Sequence, residues 1–288
     1  VGAGTRGASM GPEALRVADL QPTLEGHGIE VVDRGNLVGP PNPWQPPAAG
    51  YRHLDQVVAW NRVVHDAVHA ELGLGRLPIL LGGDHCLAIG SISAVARFCR
   101  EHGRKLRVLW LDAHADFNTP QTSPSGNIHG MPLATLCGLG DLKLVNLGWE
   151  GAKVKPEDVV LIGIRSLDPG EVGLLRERGM TVYTMKEIDR IGIPRVAEET
   201  VEKLKGLPKV HVSLDADVLD PEIAPGVGTP VPGGLTYREA HLLMELFSDA
   251  GIATSLDLVE VNPILDRENR TARMMVELAS SLLGKKIY

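Results

Sequence analysis

The chain has 288 residues, enough to bury a sizeable core as one large α/β domain or two small ones. Apolar residues make up 43% and charged residues 23%, with no low-complexity tract, which is the composition of an ordinary soluble chain. A formal charge of -7 without any block of like charges argues against nucleic acid and favours a cationic small substrate. No apolar run approaches the roughly 18 residues of a membrane span, and no signal peptide is read at the start. Cys86, Cys99 and Cys137 are odd in number and lack CxxC spacing, so they are expected as reduced thiols of a cytoplasmic protein.

In chain order, "GAGTRG" (Gly2 to Gly7) matches a dinucleotide-type glycine pattern in letters only. No strand precedes it and no acidic residue follows at the right distance, so the glycines are read as tight turns and the chain as starting inside the fold. A strand is expected at Ile29–Val32, and the proline-rich stretch from Gly39 to Gly50 reads as a surface loop within a single domain spanning 1–288. A helix follows at Tyr51–Leu72, then a strand at Pro78–Leu81 and a helix at Leu87–Glu101. Strands are next expected at Leu106–Leu111, Val159–Ile164 and Val182–Met185, a helix at Val196–Leu204, and a strand at Val210–Leu214. The last elements are a helix at Tyr237–Phe247, a strand at Ala253–Val261 and a helix at Asn269–Leu283. Most strands are continuous apolar runs, as in a parallel sheet covered on both faces, so the fold class is α/β.

Ligands of open parallel sheets bind at the carboxyl ends of the strands. Four of the expected strands end in side chains with chemistry: "GGDH" brings Asp84 and His85, "LDAHAD" brings Asp112, His114 and Asp116, "DAD" brings Asp215 and Asp217, and the last strand carries Asp257 and leads to Glu260. Singly, each has a bland reading, and Asp84 and Asp220 are expected as turn or cap residues. His27, His53, His65, His69, His102, His211 and His241 are expected to be structural. Together, so many carboxylates in one water-poor crevice would repel unless a cation compensated them. His85, Asp112, His114, Asp116, Asp215 and Asp217 exceed what one open catalytic ion needs, and fit two ions sharing carboxylates. Oxygen donors with two imidazoles and no thiolate favour manganese, with Mg, Co, Zn or Fe as substitutes. The reaction class is metal-assisted hydrolysis.

The motifs "GGDH", "DAHADFNTPQTSPSGNIHG", "SLDADVLDP", "GTPVPGGLTYRE" and "SLDLVEVNP", in that order, resemble those of the ureohydrolase family, and within it the arginases. The resemblance runs from "RGASMGPEALR" to the last helix. It implies a three-layer α/β/α sandwich on a mostly parallel eight-stranded sheet, two Mn2+ per subunit, and hydrolysis of the L-arginine guanidinium group to L-ornithine and urea. One ion would take His85, Asp112, Asp116 and Asp215, the other Asp112, His114, Asp215 and Asp217. Asp116 would carry a proton to the leaving amine, His129 would shuttle protons to solvent, and Glu260 would orient the guanidinium, with Thr229 nearby. Asn118, Ser123, Ser125 and Asn127 would meet the substrate carboxylate; Asp168 and Glu171 would meet its ammonium. Ser166 and Ser123 depart from the Asp and Thr common in arginases, which puts the contacts to the amino-acid end in question. Agmatinase is the alternative activity, and a metal-stabilised binding protein without turnover the alternative class. The resemblance also implies a homo-oligomer, trimer or hexamer, with inter-subunit contacts at Thr236 to Glu239.

Overall fold

The structure is a computed structural model that describes residues 1–204 and 209–285. Six parallel strands form its sheet: β1 (Ile79–Leu81), β2 (Leu106–Leu111), β3 (Val159–Ile164), β4 (Thr181–Thr184), β5 (Lys209–Asp215) and β6 (Ala253–Val259). Their spatial order is β1-β6-β5-β2-β3-β4. Parallel neighbours require crossovers, and the helices that provide them cover both faces. Along β2, Leu109 and Leu111 join the core beneath the helices Ile193–Leu204, Tyr237–Asp249 and Arg270–Leu282, while Val108 and Trp110 join the core beneath Leu54–Gly73 and Ala88–Glu101. β3 divides in the same way, with Val160 and Ile162 on one side and Val159 and Leu161 on the other. This is the expected three-layer α/β/α sandwich.

The sheet has six strands among the described residues, not the expected eight. Ile29–Val32 forms no strand, although it has the composition of one. A strand needs a partner's N–H and C=O groups at about 4.8 Å. Ile29–Val32 and β1 border one cavity of about 1260 Å³ without pairing. Strand pairing is a tertiary property, and apolar composition cannot supply the partner.

The four strands with chemistry at their ends, β1, β6, β5 and β2, are consecutive neighbours in the sheet. Strand spacing then brings their carboxyl ends within reach of one another. Two local features keep that edge compact. Gly163 has φ 96°, and a Cβ there would fall 2.5 Å from Val218 Cγ2 and 3.1 Å from the Asp112 carbonyl oxygen. The Arg165 guanidinium donates to the carbonyl oxygens of Asp217 and Val231, both at 2.7 Å, tying the turn after β5 to the end of β3. Among the described residues, no helix is long and apolar enough to cross a membrane.

Candidate metal centre

β2 ends at Leu111, and the chain continues through Asp112, His114 and Asp116. The 3-10 turn His85–Leu87 follows β1, with Asp84 as its cap accepting the Cys86 N–H, so the expected capping role of Asp84 is met. His85 Nδ1 lies 3.1 Å from Asp112 Oδ2, 3.1 Å from Asp116 Oδ2 and 3.0 Å from Asp215 Oδ2. His114 Nδ1 lies 3.3 Å from Asp112 Oδ1 and 3.1 Å from Asp217 Oδ2. Two groups could each hold an ion: His85, Asp112 and Asp116, and Asp112, His114 and Asp217, with Asp112 common to both. Asp215 reaches the first group through Oδ2, while its Oδ1 accepts the Asp217 N–H at 2.8 Å.

The electrostatics of the cluster call for a cation. Burial raises the Asp116 carboxyl and the Asp112 charge raises it further, to about 6. Asp215 and Asp217 are likewise raised, by burial and then by neighbouring aspartates. Burial opposes charge on the imidazoles too, yet the close carboxylates of Asp112, Asp116 and Asp215 hold His85 well above its usual range, and those of Asp112 and Asp217 push His114 up to about 12. Asp112, between the two imidazoles, is held well below its usual range despite its burial, because His114 and His85 favour its charge, so positive charge at this point is what the carboxylates are arranged to meet. His85 Nδ1 is buried and makes no properly directed hydrogen bond, although three carboxylate oxygens converge on it. Convergence of oxygens on a nitrogen without hydrogen-bond geometry fits a shared metal ion, and the donor set fits a hard divalent cation.

The ligands are held from behind. His85 Nε2 lies 2.8 Å from Ser213 Oγ, an arrangement that leaves Nδ1 to face the carboxylates. The Trp110 ring stacks on the His85 imidazole with centroids 4.0 Å apart and planes 9° from parallel, and its Nε1 donates to Asp112 Oδ2 at 2.9 Å. Sequence reading missed Trp110, Ser213 and Arg165. Trp110 and Ser213 sit two residues before Asp112 and Asp215, and alternation along a strand already placed them on the ligand face.

Above the ligands opens a cleft of about 130 Å³. Of the expected residues, His114, Asp116, Asn118, Ser123, Ser125, Asn127, His129, Asp168, Glu171, Asp215, Asp217 and Thr229 line it, as does Ser166. His85, Asp112 and Glu260 are buried beside or beneath it. The larger cavity at β1 has none of the candidate ligands in its wall. His129 Nδ1 is 2.9 Å from Glu260 Oε1, which also accepts the His85 N–H at 2.9 Å. Burial lowers His129, but the Glu260 charge and hydrogen bond together with the charges of Asp84 and Asp116 outweigh it, and the imidazole sits at about 9. Asp116 and Glu260 both adopt left-handed backbone conformations, at φ 49° and 63°. For non-glycine residues such a conformation is costly and concentrates at functional sites.

Asn118 Nδ2 donates to Asp168 Oδ2 at 2.8 Å, and Thr229 Oγ1 to Asp217 Oδ2 at 3.1 Å. Glu171 accepts the N–H groups of Phe117 and Asp168 at 2.8 and 3.2 Å, so it joins the 116–118 turn to the start of helix Pro169–Arg178. Burial nevertheless raises its carboxyl to about 7. Asp257 points away from this site, with Oδ2 3.0 Å from His211 Nε2 and hydrogen-bonded to Ser91. "GAGTRG" packs against the site as turns, not as a nucleotide loop: a Cβ at Gly4 would come 3.1 Å from Asn127 Nδ2, and one at Gly7 1.9 Å from Asn262 Oδ1.

A parallel sheet that gathers four carboxylates and two imidazoles at the carboxyl ends of neighbouring strands defines a metal-binding α/β protein of the kind that activates water. Comparison with known proteins gives the family. This chain belongs to the arginase family, whose family model matches residues 1–284. It is 50% identical to the arginase of Bacillus subtilis (strain 168) over 288 residues, covering 100% of this chain and 95% of the relative. The native structure of Bacillus caldovelox arginase superposes with a TM-score of 0.94 at 49% identity, covering 99% of this chain and 95% of that one. The Entamoeba histolytica arginase in complex with L-ornithine gives a TM-score of 0.91 at 33% identity, covering 99% and 95%.

Proposed function

We propose that this protein hydrolyses L-arginine to L-ornithine and urea, with two divalent ions, manganese foremost, held by His85, Asp112, His114, Asp116, Asp215 and Asp217. The observation that carries the reading is the convergence of these two imidazoles and four carboxylates in two groups that share Asp112, in a chain of the arginase family. When bound, the ions supply a water of lowered pKa and a Lewis acid beside the guanidinium carbon.

The protein's own residues do the rest. Glu260 receives the guanidinium through charge-assisted hydrogen bonds and holds its carbon over the carboxylate cluster. Water adds to that carbon and the bond to the chain nitrogen breaks. Asp116 Oδ2 delivers the proton that lets this nitrogen leave as the amine of ornithine. His129, on the cleft wall and 2.9 Å from Glu260, exchanges protons with solvent. Asn118, Ser123, Ser125 and Asn127 receive the α-carboxylate, and Asp168 with Glu171 the α-ammonium. Thr229 steadies Asp217 at the guanidinium end.

The same reading makes residues 1–288 a single catalytic domain of a cytoplasmic homo-oligomer, trimeric or hexameric. The three cysteines are free thiols, as such a setting requires. Thr236 and Glu239 close a capping box at the start of helix Tyr237–Asp249, and an inter-subunit role for this segment is additional to that local one.

The test offers L-arginine and agmatine separately to the Mn2+-loaded protein and quantifies urea. Turnover of arginine well above that of agmatine is expected. Faster turnover of agmatine assigns the decarboxylated substrate instead, and no urea from either leaves a metal-stabilised binding protein.

A further inference from the structure

Two residues outside the cleft determine what the cleft presents to an anion. Asn118 and Asn127 both line it, and a carboxamide can offer either its carbonyl oxygen or its N–H groups. Thr122 Oγ1 accepts the Thr119 N–H at 2.8 Å and donates to Asn118 Oδ1 at 2.9 Å. The same hydroxyl lies 3.4 Å from the Thr119 carbonyl oxygen and from Thr119 Oγ1, and its single proton goes to the nearer acceptor, Asn118 Oδ1. Asp168, which as a carboxylate only accepts, takes a proton from Nδ2 at 2.8 Å and demands the same orientation. One Nδ2 proton of Asn118 is left for the cleft. On the other side, Arg52 Nε donates to Asn127 Oδ1 at 2.6 Å. A guanidinium cannot accept, so the Asn127 amide is also fixed with its oxygen consumed and its Nδ2 available.

Neither Thr122 nor Arg52 lines the cleft itself. Each is anchored to the surrounding wall. A Cβ at Gly170 would come 2.8 Å from Thr122 Cγ2, so the threonine methyl packs closely against the first turn of the helix headed by Asp168. The Arg52 backbone N–H donates to the Gly126 carbonyl at 2.7 Å, beside Asn127.

We propose that Thr122 and Arg52 are specificity-positioning residues: they lock the Asn118 and Asn127 amides so that both turn N–H donors toward the α-carboxylate of the substrate. The inference rests on the arginine reading above and deepens it. An amide turned the other way would aim a carbonyl oxygen at the carboxylate and repel it. The locks therefore act on the amino-acid end of the substrate alone and leave the guanidinium end untouched.

The experiment measures kcat and KM for L-arginine, and the inhibition constant of agmatine, in Mn2+-loaded wild type, Thr122→Val, Thr122→Ser and Arg52→Met. Valine keeps the methyl packing and removes the hydroxyl; serine keeps the hydroxyl. KM for arginine should rise about 10-fold in Thr122→Val and in Arg52→Met, equivalent to about 1.4 kcal/mol, with kcat and the agmatine constant unchanged. Thr122→Ser should restore the wild-type KM. Because Arg52→Met also removes a charge, its KM is measured at low and high ionic strength, and a rise that persists in salt supports the lock. An unchanged arginine KM in Thr122→Val, or an equal rise for both ligands, overturns the proposal; if Thr122→Val does not fold, the salt-independent rise in Arg52→Met decides. Wild type that makes no urea from arginine refutes the underlying reading instead, which keeps the two failures apart.

Discussion

Replacing Trp110 by Phe removes one hydrogen bond from the metal centre, together with the second ring of a fully buried indole. The ring still stacks on His85, whose centroid is 4.0 Å away, but the Nε1–H that meets Asp112 Oδ2 at 2.9 Å is gone. Both residues are 0% exposed, so no water replaces the lost donor. A hydrogen bond to an ionised group contributes about 1.5–3 kcal/mol. At 1.4 kcal/mol per factor of ten, metal binding should weaken about 10- to 100-fold, the range typical when a supporting partner of a ligand is removed. Asp112 belongs to both candidate ion groups, so both binding steps should suffer. Calorimetric titration of metal-free protein with Mn2+ measures this, with circular dichroism to confirm the fold. Unchanged affinity for both ions would refute the idea that Trp110 holds Asp112 for the metals.

Two further outcomes are expected. Glu171 retains its proton in the folded protein up to about 7, against 4.5 for a free side chain. Between those values the folded state binds more protons than the unfolded, so this residue's contribution to stability is present below about pH 4.5 and is lost as pH rises through 7. Glu171→Gln should therefore remove a decline of up to about 3 kcal/mol across that window, visible as a flatter pH dependence in urea unfolding; a variant with the wild-type slope contradicts the assignment. At Gly7, φ is 122° and an added Cβ would sit 1.9 Å from Asn262 Oδ1, whose own Nδ2 donates to the Arg6 carbonyl at 2.8 Å. Gly7→Ala should cost about 2–4 kcal/mol through backbone strain and steric conflict, read from the midpoint of chemical denaturation, and a loss below about 0.5 kcal/mol would show that the segment yields freely.

The sheet was legible wherever a strand is apolar on both faces. β2 and β3 have the bounds expected from their uninterrupted hydrophobic runs. Ile29–Val32 reads equally well but pairs with nothing among the described residues, because pairing needs a partner strand that its own composition cannot supply. The six candidate ligands were legible because the strand-end rule turns chain order into spatial proximity. Asp257 shows the limit of that rule: it lies on β6 but turns toward His211 and Ser91. Trp110 and Ser213 were within reach of the same alternation argument as Asp112 and Asp215, but an indole and a hydroxyl do not announce themselves as metal-site residues. Arg165, Thr122 and Arg52 were not legible at all, since their roles come from carbonyl and amide oxygens that only the folded chain brings to them.

The shared position of Asp112 is the central claim, and elemental analysis of Asp112→Ala tests it most directly. Wild type dialysed against buffer containing Mn2+ and then freed of loose metal should retain two ions per chain, and the variant should lose both, because each group depends on Asp112. Full occupancy in a correctly folded Asp112→Ala would contradict the account.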